Sequence, residues 1–143
     1  MDYLKVLVEE IHSVVMATVD ETGHPHTAVM DMMWEDGKTV YFLTADFKPL
    51  YKRLKEDGRV AVTGMTQGAG TMDRKSISLT GQVEWIGKEH LEELLKANPY
   101  MYEIYPTEEG RSHLQVFRFK NAVGNFYDLT QLPPYQARFE IEG

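Results

Sequence analysis

Thr44 and Lys48 lie four residues apart in the stretch TVYFLTADFKPLYKRLKEDGRVAV, between an apolar run and a predicted helix. A strand end that offers a hydroxyl and unpaired backbone N–H groups, followed at once by a lysine, can hold a phosphate. Lys52, one helical turn beyond Lys48, offers a second cation. The competing role for both lysines is to solvate an exposed helix face, and Thr44 can equally cap the helix region at Pro49.

Few other side chains have the types and spacing of a reactive site. His24 and His26 flank Pro25, and His12, His90 and His113 are scattered, so no pair has the i,i+4 spacing of helical metal ligands and no metal is expected. The chain has no cysteine, which removes thiolate sites and disulfides, and no glycine-flanked serine of a nucleophile elbow. His26 is either a proton donor to a bound substrate or an exposed turn residue. Met30, Met32 and Met33, beside Trp34, make either a soft wall for a planar ligand or core filling. Asp31 is the odd carboxylate in that run. It is expected to face solvent, the alternatives being a pair with Arg74 or Lys75 or a place at a subunit interface. Tyr100, Tyr102 and Tyr105, with Met101 and Ile104, form the densest aromatic cluster, read as a lid, an interface or packing under a loop.

The elements that must position these residues follow from periodicity. Tyr3 to Ile11 puts Leu4, Leu7, Val8 and Ile11 on one helical face. Ser13–Asp20 and His26–Trp34 form a hairpin, and Asp36-Gly37 turns the chain into a strand over Thr39–Thr44. Pro49–Glu56 is a helix with Leu50 and Leu54 at i,i+4, ended by Asp57-Gly58. Arg59–Thr66 and Lys75–Ile86 are strands separated by a glycine-rich break without phosphate-loop spacing. Lys88–Asn98 is a helix burying Leu91, Leu94 and Leu95, and a loop surrounds Pro99 and Pro106. Leu114–Lys120 and Ala122–Leu129 read as two strands joined at Lys120-Asn121, and Thr130–Gly143, with Pro133-Pro134, as an arm or edge segment. The result is a mainly β (α+β) chain: six to seven antiparallel strands in a closed or nearly closed barrel, with about three helices.

The 143 residues suit one domain over 1–143, and 43% hydrophobic residues suffice for one core. A net charge of −7 argues against a nucleic-acid partner. With no membrane-length apolar run and no signal-peptide pattern, a cytoplasmic location is the expectation.

The succession of N-terminal helix, VVMATVDETGHPHTAVM, VYFLTADFKPLYKRLKEDGRVAV, SISLTGQVEW and VFRFKNAVGNFYDL resembles the pyridoxamine 5'-phosphate oxidase-like flavoproteins, from about Leu4 to Leu129. That resemblance implies a split barrel binding FMN at a homodimer interface. It places Thr44 and Lys48 on the FMN phosphate with Lys52 as a second cation. It runs Thr27, Ala28, Val29 and Met30 beside the flavin ring, leads Phe42 and Leu43 toward it, and brings Ser76 near it from the same or the partner subunit. Ala28 stands where many relatives carry an arginine. Ser76 replaces the glutamine of authentic pyridoxamine-phosphate oxidases, and PPYQARFEIEG lacks their basic ending, so oxidation of vitamin B6 phosphate is not the expected activity. The expected activity is FMN-dependent reduction of flavin or of a small aromatic or nitro-bearing acceptor. A non-catalytic flavin- or cofactor-binding protein is the alternative.

Overall fold

In the computed structural model, which describes residues 1–142, the chain opens with a helical turn, α1 (Tyr3–Lys5), that widens into a π-helix over Val6–Ile11. His12 N–H closes the π winding by donating to Leu7 O at 2.8 Å, and Val6, Leu7 and Ile11 are buried. The 3.6-residue spacing placed Leu4 and Val8 on the inner face. The wider turn moves them to the border of the core and brings Val6 in.

β1 (Ser13–Val19) and β2 (Pro25–Asp31) pair antiparallel, as the hairpin signal implied. β2 ends at Asp31 and not at Trp34, because Met32 N–H turns to His12 O at 2.7 Å and Met33 N–H to Tyr41 O at 3.0 Å. β3 is only Trp34–Glu35 and pairs with β4 (Val40–Ala45). α2 (Pro49–Glu56) fills its predicted span, with Pro49 in the first turn where its missing N–H costs nothing. β5 (Arg59–Met65) and β6 (Lys75–Gly87) follow, then α3 (Leu91–Ala97), which buries Leu94 and Leu95. The expected loop around Pro99 and Pro106 contains two short helices, α4 (Met101–Ile104) and α5 (Glu108–Arg111). Nor are there two strands meeting at Lys120-Asn121. β7 runs unbroken from Leu114 to Asp128 and absorbs the irregularity as a bulge opposite Gln82 and Val83. Gly81 permits this crossing, since a Cβ there would lie 2.1 Å from Asn121 O. The last segment is an edge strand, β8 (Tyr135–Glu142), paired with β7.

The strands form one antiparallel sheet in the order β2-β1-β5-β6-β7-β4-β3, one strand more than the upper expectation because β8 also pairs with β7. β4 lies along the first part of β7 and β8 along its last part. This is an antiparallel split barrel whose strands are hydrogen-bonded in one open path with β2 and β3 as its edges. Its interior holds Met16, Phe42, Leu79, Phe117 and Phe119, while a second cluster of Met33, Tyr41, Leu43, Leu94, Met101 and Leu114 packs outside it, where α3 and α4 lie. β4 has side chains in both clusters and is buried along its whole length, which is why its sequence is a continuous apolar run. Among the described residues, no helix is long and apolar enough to cross a membrane.

Candidate functional site

A groove of about 320 Å³ runs between β2 and β4, which do not pair. β2 contributes Val29, Met30 and Asp31, and β4 contributes Leu43, Thr44 and Ala45. Lys48 stands at one end, and Met101, Ile104 and Tyr105 wall it from α4 and the residue beyond. As an outermost strand, β2 also presents backbone N–H and C=O groups that no neighbour in the sheet satisfies.

Two groups at the Thr44 end lack partners. Thr44 is 2% exposed, and its Oγ1 makes no hydrogen bond. A buried hydroxyl left unpaired costs about 1–3 kcal/mol. Lys48 is exposed, starts α2 without a side-chain cap, and has no carboxylate within ion-pair distance among the described residues. In the first turn of α2, Pro49 has no N–H and Tyr51 N–H donates to Lys48 O at 3.1 Å, so among the described residues the Leu50 N–H is the one left available beside the unpaired ammonium. Hydroxyl, cation and helix N-terminus together form a donor set that fits a phosphate.

The other residues singled out in the sequence divide. Val29, Met30 and Leu43 line the groove with Thr44 and Lys48. Thr27 is exposed further along β2, opposite Ala17. Ala28 points inward and packs on the barrel core. Phe42 does not reach the groove: it is fully buried and stacked on Phe117 at 5.7 Å, because alternation along β4 turns it inward. Lys52 also lies elsewhere, 72% exposed and 3.9 Å from Glu56, one turn along the solvent side of α2. Ser76 lines a separate depression that shares only Val29 with the groove. His26 is tied into its own turn by Asp20 at 2.8 Å and does not reach the groove.

Asp31 is not a solvent-facing carboxylate, nor is it paired with Arg74 or Lys75. Ser13 Oγ donates to its Oδ1 at 2.8 Å, and Tyr100 OH donates to its Oδ2 at 2.7 Å. His12 Nε2 lies 2.9 Å from the Tyr100 oxygen, and its Nδ1 lies 3.1 Å from Val8 O. Burial, reinforced by the bond to the Asp31 carboxylate, raises the Tyr100 phenol well above its ordinary value. His12 adopts a left-handed φ of 63° at the end of the π-helix, an uncommon conformation for a side chain of this size. Buried Asn98 bonds Met33 O at 2.9 Å and Leu94 O at 2.8 Å, fixing the end of α3 to the groove wall. These partners are far apart in sequence; only the isolated charge of Asp31 and the tyrosine density marked them.

A family model described as pyridoxamine 5'-phosphate oxidase matches residues 2–127. The chain belongs to the pyridoxamine 5'-phosphate oxidase family. Among solved structures, a NimC/NimA family protein from Clostridium acetobutylicum superposes with a TM-score of 0.75 at 20% identity, over 97% of this chain and 94% of that one. A heme binding protein from Mycobacterium smegmatis gives 0.71 at 13% identity over 95% of this chain, which spans 56% of that longer protein. An F420 reductase gives 0.62 at 20% identity, over 80% of this chain and 90% of that one. At such identities the likeness establishes the fold. No curated protein matches the chain.

Proposed function

We propose that this family member is an FMN-dependent oxidoreductase that works as a homodimer and reduces flavin or a small aromatic or nitro-bearing acceptor. The observation that carries the reading is the unpartnered pair at the groove end, the buried Thr44 hydroxyl and the unpaired Lys48 ammonium. There Lys48 and the first turn of α2 would hold the FMN phosphate, and a phosphate oxygen would supply the partner that Thr44 lacks. The unsatisfied edge of β2 would bond the polar side of the ring, while Met30, Met33 and Leu43 would exclude water from its apolar side. Bound flavin supplies hydride transfer, and the protein orients it. Tyr100 would keep its phenolic proton and donate it in a hydrogen bond to Asp31 at the groove wall. Exposed Val15, Val29 and Met65 support the dimer, since they leave an apolar strip beside the groove.

Purified protein mixed with FMN and desalted should retain a flavin absorption spectrum and a dimer mass. NADH or NADPH should bleach the spectrum, and an added acceptor should restore it. A protein that stays colourless after exposure to FMN refutes the reading. Ala28 and the outward turn of Lys52 leave one side-chain cation for the phosphate, and this favours a second reading, a non-catalytic holder of flavin or another cofactor. Flavin that binds and is never turned over would select it.

A further inference from the structure

We propose that the depression on the far side of Val29 binds the carboxylate of a small apolar organic acid, and that Arg74 holds it. This cavity, about 460 Å³, is lined by Val15, Val29, Thr63, Met65, Arg74 and Ser76 among others. Arg74 is its only cation among the described residues, and its donors are poorly used. One terminal nitrogen donates to Gly68 O at 3.1 Å, the other reaches only the Met65 thioether at 3.4 Å, and Nε is buried with no partner. A thioether is a weak acceptor, so a fork built for two parallel bonds to an oxyanion has one conventional acceptor.

Charge points the same way. The chain carries 22 Asp and Glu against 15 Lys and Arg, yet none of those carboxylates lies within ion-pair distance of Arg74 among the described residues. Arg59, Arg118 and Arg138 each have one, in Asp57, Glu84 and Glu140. Asp31 is engaged by Ser13 and Tyr100 and Glu10 by Lys75 at 3.4 Å, while Asp73, next to Arg74 in the chain and packed on Gly68, makes no ion pair with it. A half-buried guanidinium without a counter-charge is costly, and an anionic occupant removes that cost.

The loop before β6 is shaped to keep the arginine in place. Gly68 packs so closely that a Cβ would lie 2.9 Å from Asp73 O and 3.0 Å from Arg74 Cγ. Thr66 and Lys75 close the loop with reciprocal bonds, Thr66 N–H to Lys75 O at 2.9 Å and Lys75 N–H to Thr66 Oγ1 at 3.0 Å. Val15, Val29 and Met65 line the cavity with the same apolar strip that the dimer reading puts at the subunit seam, so the acid would lie beside that seam, its apolar part covering surface that a bare inorganic anion would leave uncovered. The Ser76 hydroxyl has no partner among the described residues and is free for the second carboxylate oxygen. Binding of the acid stands independently of the flavin. That the acid is the acceptor, lying across Val29 from the ring, rests on the flavin reading.

The test uses the FMN-free full chain, with benzoate as probe and benzamide as its neutral counterpart. In a nitrogen–proton correlation spectrum, benzoate should shift the Arg74 Nε–Hε signal saturably and bind roughly tenfold or more tightly than benzamide, as a charge-assisted bond requires. R74M should lose that preference and K48A should keep it. R74K, which retains charge and stem, is the second variant if R74M fails to fold, and it should bind benzoate more weakly for want of the fork. FMN affinity should be unchanged in the arginine variant used. An unmoved Arg74 signal, equal affinity for benzamide, inorganic phosphate binding as well as benzoate, loss of binding in K48A, or loss of FMN in the arginine variant overturns the proposal. Failure to bind FMN in the wild-type chain refutes the flavin reading alone.

Discussion

Replacing Thr44 with valine should move the protein's stability in opposite directions with and without FMN. The hydroxyl is buried without a partner, so its removal in the ligand-free protein relieves an unpaired polar group at nearly constant volume and in a residue type that strands favour. A gain of about 1 kcal/mol is expected. For 143 residues the unfolding entropy at Tm is about 0.3 kcal/mol/K, so that gain raises Tm by about 3 °C. With FMN the sign reverses, because the hydroxyl then bonds a phosphate oxygen. Losing a bond worth about 1.4 kcal/mol weakens binding about tenfold. At FMN one hundred times the wild-type Kd, ligand stabilisation falls from about 2.7 to about 1.4 kcal/mol, and the FMN-induced rise in Tm falls from about 9 to about 5 °C. Thermal scans of both proteins, with and without FMN, measure all four values. A ligand-free T44V that melts several degrees lower would show that the hydroxyl is satisfied in the free protein, and an unchanged FMN shift would remove Thr44 from the phosphate site.

Lys48→Ala should weaken FMN binding by about 1.5–3 kcal/mol, whereas Lys52→Ala, whose ion pair is with Glu56 on the solvent side, should change it by less than about 0.5 kcal/mol; fluorescence titration decides, and equal effects would refute the geometry. Gly81→Ala should destabilise by roughly 2–4 kcal/mol in urea unfolding, because the new Cβ meets the Asn121 carbonyl in β7; a neutral result would mean the two strands cross with more room. Burial, with the 2.6 Å bond to Asp36, pushes the Tyr41 phenol up to about 12. Its folded value exceeds the unfolded value of about 10, so its contribution to stability is fully present below pH 10 and is lost between pH 10 and 12. Tyr41→Phe should therefore flatten the alkaline fall in stability and remove a late step from the titration at 295 nm, and an unchanged titration would contradict the assignment.

Local signals carried most of the fold. Asp36-Gly37 marked the β3–β4 turn, and Pro49 with Leu50 and Leu54 marked α2 to the residue, because each states its backbone conformation within a few positions. The errors fall where a distant partner decides. The π turn that buries Val6 ends at a His12 whose carbonyl receives Met32 N–H, and the continuity of β7 depends on Gly81 in another strand. The edge alternative for Thr130–Gly143 holds over β8, which forms because β7 is long enough to offer its last part as a template.

The candidate site separates along the same line. Thr44 and Lys48 were legible because a strand, a short loop and a helix in succession put them at one end of the sheet by local geometry alone. Lys52 shows the limit of that logic: one turn beyond Lys48 is close in sequence, but α2 carries it to the solvent side beside Glu56. Of the Asp31 constellation the sequence marked single residues, the isolated charge and the dense tyrosines, but not their meeting, since Tyr100 and His12 are 88 residues apart and each also has a structural role. Tyr100 stands at the start of α4, which forms one groove wall, and Asp31 ends β2, which forms the other. Their 2.7 Å bond therefore does two things at once: it holds the groove at its width, and it keeps a protonated phenol against the only carboxylate that lines it among the described residues. A tyrosine placed for packing alone would need no such acceptor, and a carboxylate placed for solubility would not be turned inward to provide one.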